Sequence, residues 1–495
     1  MRPRRLRRVL ATTALLLPGL LTTPASARET GASHAVVVEG RSAHDAATAV
    51  AAAGGKVDTM LGIVDGVAAH VDDTALATLA ADSSLRVTPD VELRVTSSEF
   101  DAASHDMQLS SLDPGASWSP DAGDGVGVAL VDTGVADTPD LAGRVVRGPD
   151  FSGEHDGVDH YGHGTFMAGL IAGDATASAG EPVTHMGVAP GATVVSVKVA
   201  GADGSTSLSK LIAGIGWVVV HRDQHEIRVM NLSFGMDANL PYVANPLSGA
   251  VEAAWASGIA VVGASGNEGD GTVTSPGDDP WIVTVGASDA HGTSDTADDT
   301  VAAFSGRESF RRYAKPDVVA PGVSVVSLRA PGSTVDTSHP EGRVGDAYFR
   351  GSGTSMASAI VAGGLAVLAG QHPEATPDEL KGALLDGGVA IDGGAAVAVS
   401  LDGADNAEPR DDWWQRYPMA FDGLGRGLRD RMPWTATRWT ATRWTATRWT
   451  ATRWTATRWT ATRWTDESWE ATSWTATRWT ATRWTSASWN SADWG

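Results

Sequence analysis

The segment Val128-Ala129-Leu130-Val131-Asp132-Thr133-Gly134 is a run of apolar residues that ends in an acid. This run, 126–131, is followed by further apolar runs at 193–199, 229–232 and 259–263. They alternate with longer helical stretches, which include 208–220 and 247–257. This alternation predicts an α/β fold built on a doubly wound, mostly parallel and buried sheet. We expect this domain to span residues 124–400.

Asp132 is expected at the carboxyl end of its strand. In an open α/β sheet, binding and catalytic sites form at the carboxyl ends of the strands. An acid at this place can point into the crevice with its charge partly desolvated. Taken alone, Asp132 is also consistent with a helix N-cap or a turn residue.

His163 lies between two glycines in Tyr161-Gly162-His163-Gly164-Thr165. Glycines let backbone and substrate approach closely. A helix is expected over 166–173, so His163 should lie near its first turn. A single histidine in such a place is more often a structural or surface residue than a base.

Ser355 opens a predicted helix over 355–369, after Gly351-Ser352-Gly353-Thr354. A serine at a helix start meets the positive end of the helix dipole, and its N–H can serve an oxyanion. Asn267 follows the apolar run 259–263, and its amide can donate to the same oxyanion. The alternatives are an ordinary N-cap for Ser355 and a turn residue for Asn267.

Together these residues supply what acyl transfer to a hydroxyl needs: a nucleophile, a base, a group that orients the base, and oxyanion donors. Their order along the chain is Asp, His, Ser. An α/β-hydrolase has the order Ser, Asp, His and requires Gly-x-Ser-x-Gly, whereas Ala357 stands where the last glycine would be. The chymotrypsin order, His, Asp, Ser, does not fit either.

The segments that contain Asp132, His163 and Ser355 resemble the three signatures of the subtilisin-like serine peptidases, the subtilases. The resemblance covers about residues 124–390. Segments 187–192 and 315–322 also match the family. The resemblance implies that Asp132 orients the base, His163 is the base, Ser355 is the nucleophile and Asn267 is an oxyanion donor. It also implies a substrate-binding strand, formed by Ser233, Phe234 and Gly235. The opposite wall of the pocket would be formed by Ala264, Ser265 and Gly266.

Residues 28–98 are expected to form a separate small unit with the order β-α-β-β-α-β. Its elements are expected at 35–39, 43–53, 56–71 (two strands), 73–81 and 85–95. This is the ferredoxin-like pattern, although other small α+β domains share it. By the resemblance, this unit would be the inhibitory propeptide, which assists folding and is cut off by the enzyme itself. Residues 99–123 are polar and are expected to be an exposed connector.

The N-terminus has the layout of a secretory signal peptide over residues 1–27. Five arginines precede an apolar stretch, and Ala25-Ser26-Ala27 is a small-x-small cleavage pattern. We therefore expect a secreted, extracellular protein with no transmembrane segment in the mature chain. The chain has no cysteine, so it has no disulfide. Its net charge of -22 argues against nucleic acid as a partner.

A linker over 401–433 leads to a repeat, in which tryptophan recurs every five residues from Trp434 to Trp494. Residues 434–495 are too short a segment to bury all of these aromatic rings in a core. Exposed aromatic residues often indicate a binding partner. Tryptophan stacks on sugars, so one hypothesis is a cell-wall glycan anchor. The alternatives are a disordered low-complexity tail and self-association.

The sequence therefore predicts a secreted serine endopeptidase that hydrolyses polypeptides through an acyl-enzyme. It would be made as a self-processed precursor, with its own propeptide as inhibitor. The alternative is a cell-surface glycan-binding protein that uses the Trp repeat and keeps an inactive peptidase scaffold. The resemblance implies no cofactor for the chemistry and is compatible with structural calcium.

Overall fold

The structure is a computed structural model, and it describes residues 33–95, 120–181, 184–236, 242–269, 271–291, 299–309 and 314–386. The expected signal peptide, most of the connector, the linker and the Trp repeat lie outside the described residues.

The N-terminal unit has its own sheet and its own apolar core. Its elements are β1 (His34–Glu39), α1 (Ala43–Ala52), β2 (Lys56–Leu61), β3 (Gly66–Val71), α2 (Asp73–Ala80) and β4 (Arg86–Pro89). The sheet is antiparallel with the order β2-β3-β1-β4. The side-chain oxygens of Ser42 and Asp72 accept backbone N–H groups at the starts of the two helices, so N-capping fixes where the helices begin.

The run expected as one extended segment at 85–95 is in fact two strands in two different sheets. β4 ends at Pro89, which has no N–H to extend a ladder. The next strand, β5 (Glu92–Val95), leaves the N-terminal sheet and lies between β9 (Ser205–Ser207) and β11 (Phe234–Gly235), antiparallel to both. The N-terminal unit thus supplies the central strand of a small sheet in the main domain.

The main domain contains the mostly parallel sheet that the sequence predicts. Its parallel strands are β6 (Gly127–Asp132), β7 (Val145–Asp150), β8 (Thr193–Lys198), β10 (Ile227–Leu232), β12 (Ala260–Ala264), β13 (Val283–Asp289) and β17 (Val318–Pro321). One short antiparallel strand, β14 (Thr300–Val301), borders β13. Smaller strands outside this sheet are β15 (Glu308–Ser309), β16 (Ala314–Lys315), β18 (Val325–Leu328), β19 (Arg343–Val344) and β20 (Tyr348–Gly351). β6 is buried throughout, and its sequence is accordingly apolar up to the final Asp132.

Most helices of the main domain pack against this sheet. The helices of the domain are α3 (His163–Ala172), α4 (Leu208–His221), α5 (Pro246–Ala256), α6 (Thr334–Ser338), α7 (Thr354–Gln371) and α8 (Pro377–Asp386). α3 packs against α7, α4 packs against α5, and both pairs contact strands of the main sheet. α7 is long and apolar enough to cross a membrane by composition, but its residues 354–369 are buried in the fold. It is therefore the central core helix of the domain.

Candidate active site

Asp132 is the last residue of β6, at the carboxyl edge of the sheet, and its side chain is 1% exposed. Its Oδ1 accepts the N–H of Thr133 at 2.8 Å. The Nδ1 atom of His163 lies 2.8 Å from Oδ1 and 3.1 Å from Oδ2 of the same carboxylate. Because a carboxylate accepts, this contact assigns the proton to Nδ1 of the neutral ring and leaves Nε2 as the basic nitrogen.

The glycines on either side of His163 are required by the packing of the backbone. Gly162 has φ 111°, in the left-handed region that favours glycine. A Cβ on Gly164 would lie 2.1 Å from the carbonyl oxygen of Gly134. His163 itself begins α3 and is buried, and its Nε2 makes no hydrogen bond among the described residues. The imidazole is thus held by Asp132 on one side and presents a basic nitrogen on the other.

Ser355 lies in the first turn of α7 and is buried. This helix packs against α3, which begins at His163. Ser358, one turn further, donates its hydroxyl to the carbonyl oxygen of Ser355 at 2.8 Å, and its Oγ lies 3.0 Å from Oγ of Ser233. The fold therefore places the expected nucleophile and the expected substrate-binding strand beside the same helix turn.

Asn267 is anchored to the same helix start. Its Oδ1 accepts the N–H and the hydroxyl of Thr354, both at 3.0 Å. The Thr354 hydroxyl also accepts the N–H of Gly266 at 3.2 Å. These contacts fix the amide orientation, and the Nδ2 group is buried with no hydrogen bond among the described residues. An unpaired buried N–H lowers the stability of the folded protein, so its presence calls for an explanation. Donating to an anion that forms during a reaction is one such explanation.

The expected pocket residues lie around this point. Gly235 pairs with Arg94 of β5 and Phe234 with Val95. The Phe234 side chain is fully buried in the main core. On the other side, Ala264 ends β12, and a Cβ on Gly266, whose φ is 97°, would lie 2.7 Å from the Thr274 hydroxyl. Ser265 is buried and donates its N–H to the carbonyl of Val285 at 2.9 Å.

The sequence pattern of the Subtilase family matches residues 123–397, which is more than half of the chain. The chain belongs to the subtilase family. Its peptidase domain is of the subtilisin-like serine endopeptidase class, and the chemistry of this class needs no cofactor.

This subtilase is similar to several named proteases. It is 42% identical over 275 residues to the serine protease AprX of Bacillus subtilis, a match that covers 54% of this chain and 61% of AprX. It is 36% identical over 253 residues to Subtilisin Savinase of Lederbergia lenta, covering 51% of this chain and 78% of Savinase. The crystal structure of fervidolysin from Fervidobacterium pennivorans, a keratinolytic enzyme related to subtilisin, has the same fold. It superposes with a TM-score of 0.57 at 24% identity, over 76% of this chain and 62% of fervidolysin.

A cluster of two carboxylates and one histidine precedes His163 along the chain. Ligand atoms of Glu154, Asp156 and His160 lie within 4.8 Å of one another. The buried ammonium of Lys198 is 2.6 Å from Glu154 Oε2 and 3.7 Å from Asp156 Oδ1. The hydrogen bond from His160 lowers the pKa of Asp156 to about 2, with a further contribution from the Val158 N–H. Since the Lys198 ammonium already pairs with both carboxylates, and calcium prefers oxygen ligands over imidazole, the cluster does not fit calcium.

Sequence reasoning missed three residues that hold the site. Thr354 fixes the orientation of the Asn267 amide, and Ser358 links Ser233 to the turn of Ser355. Asp159 is buried and accepts hydrogen bonds from both sides of His163. An acid four residues before a histidine at a helix start was the available signal for Asp159, because acids favour helix N-termini.

Proposed function

We propose that this subtilase is a secreted serine endopeptidase in which Asp132, His163 and Ser355 form the catalytic triad. The observation that supports this most is the buried hydrogen bond between Asp132 and Nδ1 of His163, with Nε2 left as the base. His163 takes the Ser355 proton as the hydroxyl oxygen attacks the peptide carbonyl. It then gives that proton to the leaving amine, which leaves an acyl-enzyme. In the second half of the reaction, His163 takes a proton from a water that attacks the acyl-enzyme, and it returns the proton to Ser355 as the acid product leaves.

The negative oxygen of the tetrahedral intermediate is stabilised by donors at the start of α7. The Asn267 Nδ2 group is one donor, supported by its buried position and its fixed orientation. The Ser355 N–H is proposed as the second, because Ser355 lies in the first turn of α7 and backbone N–H groups at a helix N-terminus favour an anion. The positive end of the helix dipole adds to the same effect.

The N-terminal unit is proposed to be a ferredoxin-like inhibitory propeptide that the enzyme removes itself. Its β-α-β-β-α-β order supports this, as does the position of β5 between β9 and β11. An extended polypeptide substrate would pair with residues 233–235 in the same way. The unit is also anchored by Asp90, whose carboxylate accepts the N–H of Ser209 at 2.8 Å and its hydroxyl at 2.7 Å.

Secretion is proposed from the signal-like layout of residues 1–27. Polypeptides are the proposed substrates. Structural calcium stays a prediction. Envelope attachment through the Trp repeat also stays a prediction from the sequence, since the repeat lies outside the described residues.

The test is Ser355→Ala in the full-length chain. This change should abolish both self-processing and hydrolysis of a casein substrate, and it should remove labelling by a fluorophosphonate probe. Ser248→Ala is the matched control, because Ser248 is a buried helix serine whose hydroxyl has no partner among the described residues. Serine-type turnover that survives Ser355→Ala would refute the assignment.

A further inference from the structure

We propose that Asp159 is a positioning residue, which holds the segments carrying Asp132 and His163 in register for proton transfer. The inference rests on the proposed function and adds a residue outside the triad. Asp159 acts through its neighbours, since its hydrogen bonds go to groups on either side of the two catalytic residues.

The Asp159 carboxylate is 4% exposed and accepts five hydrogen bonds. Oδ1 accepts the Thr133 hydroxyl at 2.8 Å, the Tyr161 N–H at 3.1 Å and the Gly162 N–H at 2.7 Å. Oδ2 accepts the N–H of Thr165 at 2.8 Å and its hydroxyl at 2.6 Å. One carboxylate therefore satisfies the backbone of the loop before α3 and of the first turn of α3.

These contacts join the two halves of the Asp132–His163 pair. Thr133 directly follows Asp132, and its hydroxyl also accepts the N–H of Gly164 at 2.8 Å. Gly164 directly follows His163. The end of β6 and the start of α3 are thus tied through one hydroxyl, and that hydroxyl is oriented by Asp159.

The chemistry of Asp159 suits positioning. Among the described residues it forms no ion pair, and its donors are hydroxyls and backbone N–H groups near a helix start. A carboxylate interacts favourably with the positive end of a helix dipole and accepts N–H groups that the helix leaves unpaired. Removing it would take the acceptor from the half-buried N–H groups of Tyr161 and Gly162 and from the buried N–H of Thr165, so the start of α3 would shift.

A shift of this kind acts on the chemical step. A displacement of about 1 Å in a catalytic group can lower the rate roughly 10²-fold. Asp159 makes no hydrogen bond to the described residues of the proposed pocket, so the pairing of the peptide should be unchanged.

The experiment compares Asp159→Ala, Asp159→Asn and Asp140→Ala in the full-length chain. Asp140 is a matched control: it is fully buried and accepts the Ala177 N–H at 2.6 Å and the Tyr348 hydroxyl at 2.8 Å, away from the triad. The first readout is the rate of Ser355-dependent self-processing, corrected for the folded fraction. The second is the downfield proton NMR signal of the Nδ1 proton of His163, recorded in a Ser355→Ala background where the chain stays intact.

We expect Asp159→Ala to slow self-processing roughly 10²-fold and to shift or broaden the Nδ1 signal. Asp159→Asn should recover about tenfold over alanine, because its oxygen replaces one set of acceptors while its NH₂ group opposes the Thr165 N–H. Asp140→Ala should stay within about threefold of the unmodified chain and leave the signal in place.

The inference is overturned by an Asp159→Ala chain that processes within threefold of the unmodified chain, or by equal losses in the Asp159 and Asp140 variants with an unchanged signal. Should Asp159→Ala not fold, Asp159→Asn carries both readouts. Failure of the proposed function is a separate outcome, since the unmodified chain would then show no Ser355-dependent cleavage. The NMR comparison would still test positioning in that case.

Discussion

Substitution of Asn267 by alanine tests the proposed oxyanion donor. The Nδ2 group is buried and makes no hydrogen bond among the described residues, while Oδ1 is held by both polar groups of Thr354. The Nδ2 group is oriented before the reaction begins, so it stabilises the oxyanion without a cost of reorganisation. The substitution therefore removes its full contribution to the transition state. We expect kcat to fall ~10²–10³-fold, which corresponds to about 3–4 kcal/mol of transition-state stabilisation, with little change in KM.

Two further variants separate donation from packing. Asn267→Asp keeps the shape and the contacts to Thr354 but replaces the donor by an acceptor, so its loss in kcat should equal or exceed that of alanine. Thr354→Val keeps the donor but loosens its orientation, and we expect a loss of about tenfold. Steady-state hydrolysis of a chromogenic peptide gives kcat and KM for each variant. A decrease below threefold for Asn267→Ala, or an active Asn267→Asp enzyme, would show that another group binds the oxyanion.

Two predictions concern pH. Activity of the processed enzyme should fall on acidification, because a protonated histidine cannot accept the Ser355 proton, and equal rates at about pH 4 and about pH 8 would contradict a histidine base. Burial raises the pKa of Glu39 in the N-terminal unit from 4.5 to about 7. The Arg86 guanidinium, whose Nη1 lies 3.9 Å from Glu39 Oε2, opposes this rise. The folded state therefore holds this proton more tightly, and the Ser355→Ala chain should lose about 3 kcal/mol of stability in this unit as pH rises from 4.5 to 7. Thermal unfolding of Glu39→Gln should lack that loss; an identical pH dependence in both chains would rule out Glu39 as its source.

Much of the main domain could be predicted because its elements are buried. The stretch expected to be helical at 208–220 is the helix Leu208–His221, and the stretch at 247–257 is Pro246–Ala256. An acid that ends a buried strand is placed at the sheet edge by the strand itself, which is why Asp132 could be proposed as a site residue. Asp159 could not be selected in this way, since it is one of several acids in a polar loop. Its burial depends on donors that only the folded chain brings together.

The division of 85–95 into two strands could not be read from local sequence, because strand pairing is decided by distant partners. Leu93 and Val95 are buried while Glu92 is exposed, an alternation that fits a half-buried strand of either sheet equally well. The choice is made by residues more than a hundred positions later: β11 offers a free edge, and the N-terminus of α4 binds Asp90. The pairing has a consequence for catalysis. Departure of β5 would expose the edges of β9 and β11 together, and an extended peptide could then bind between two strands rather than on one.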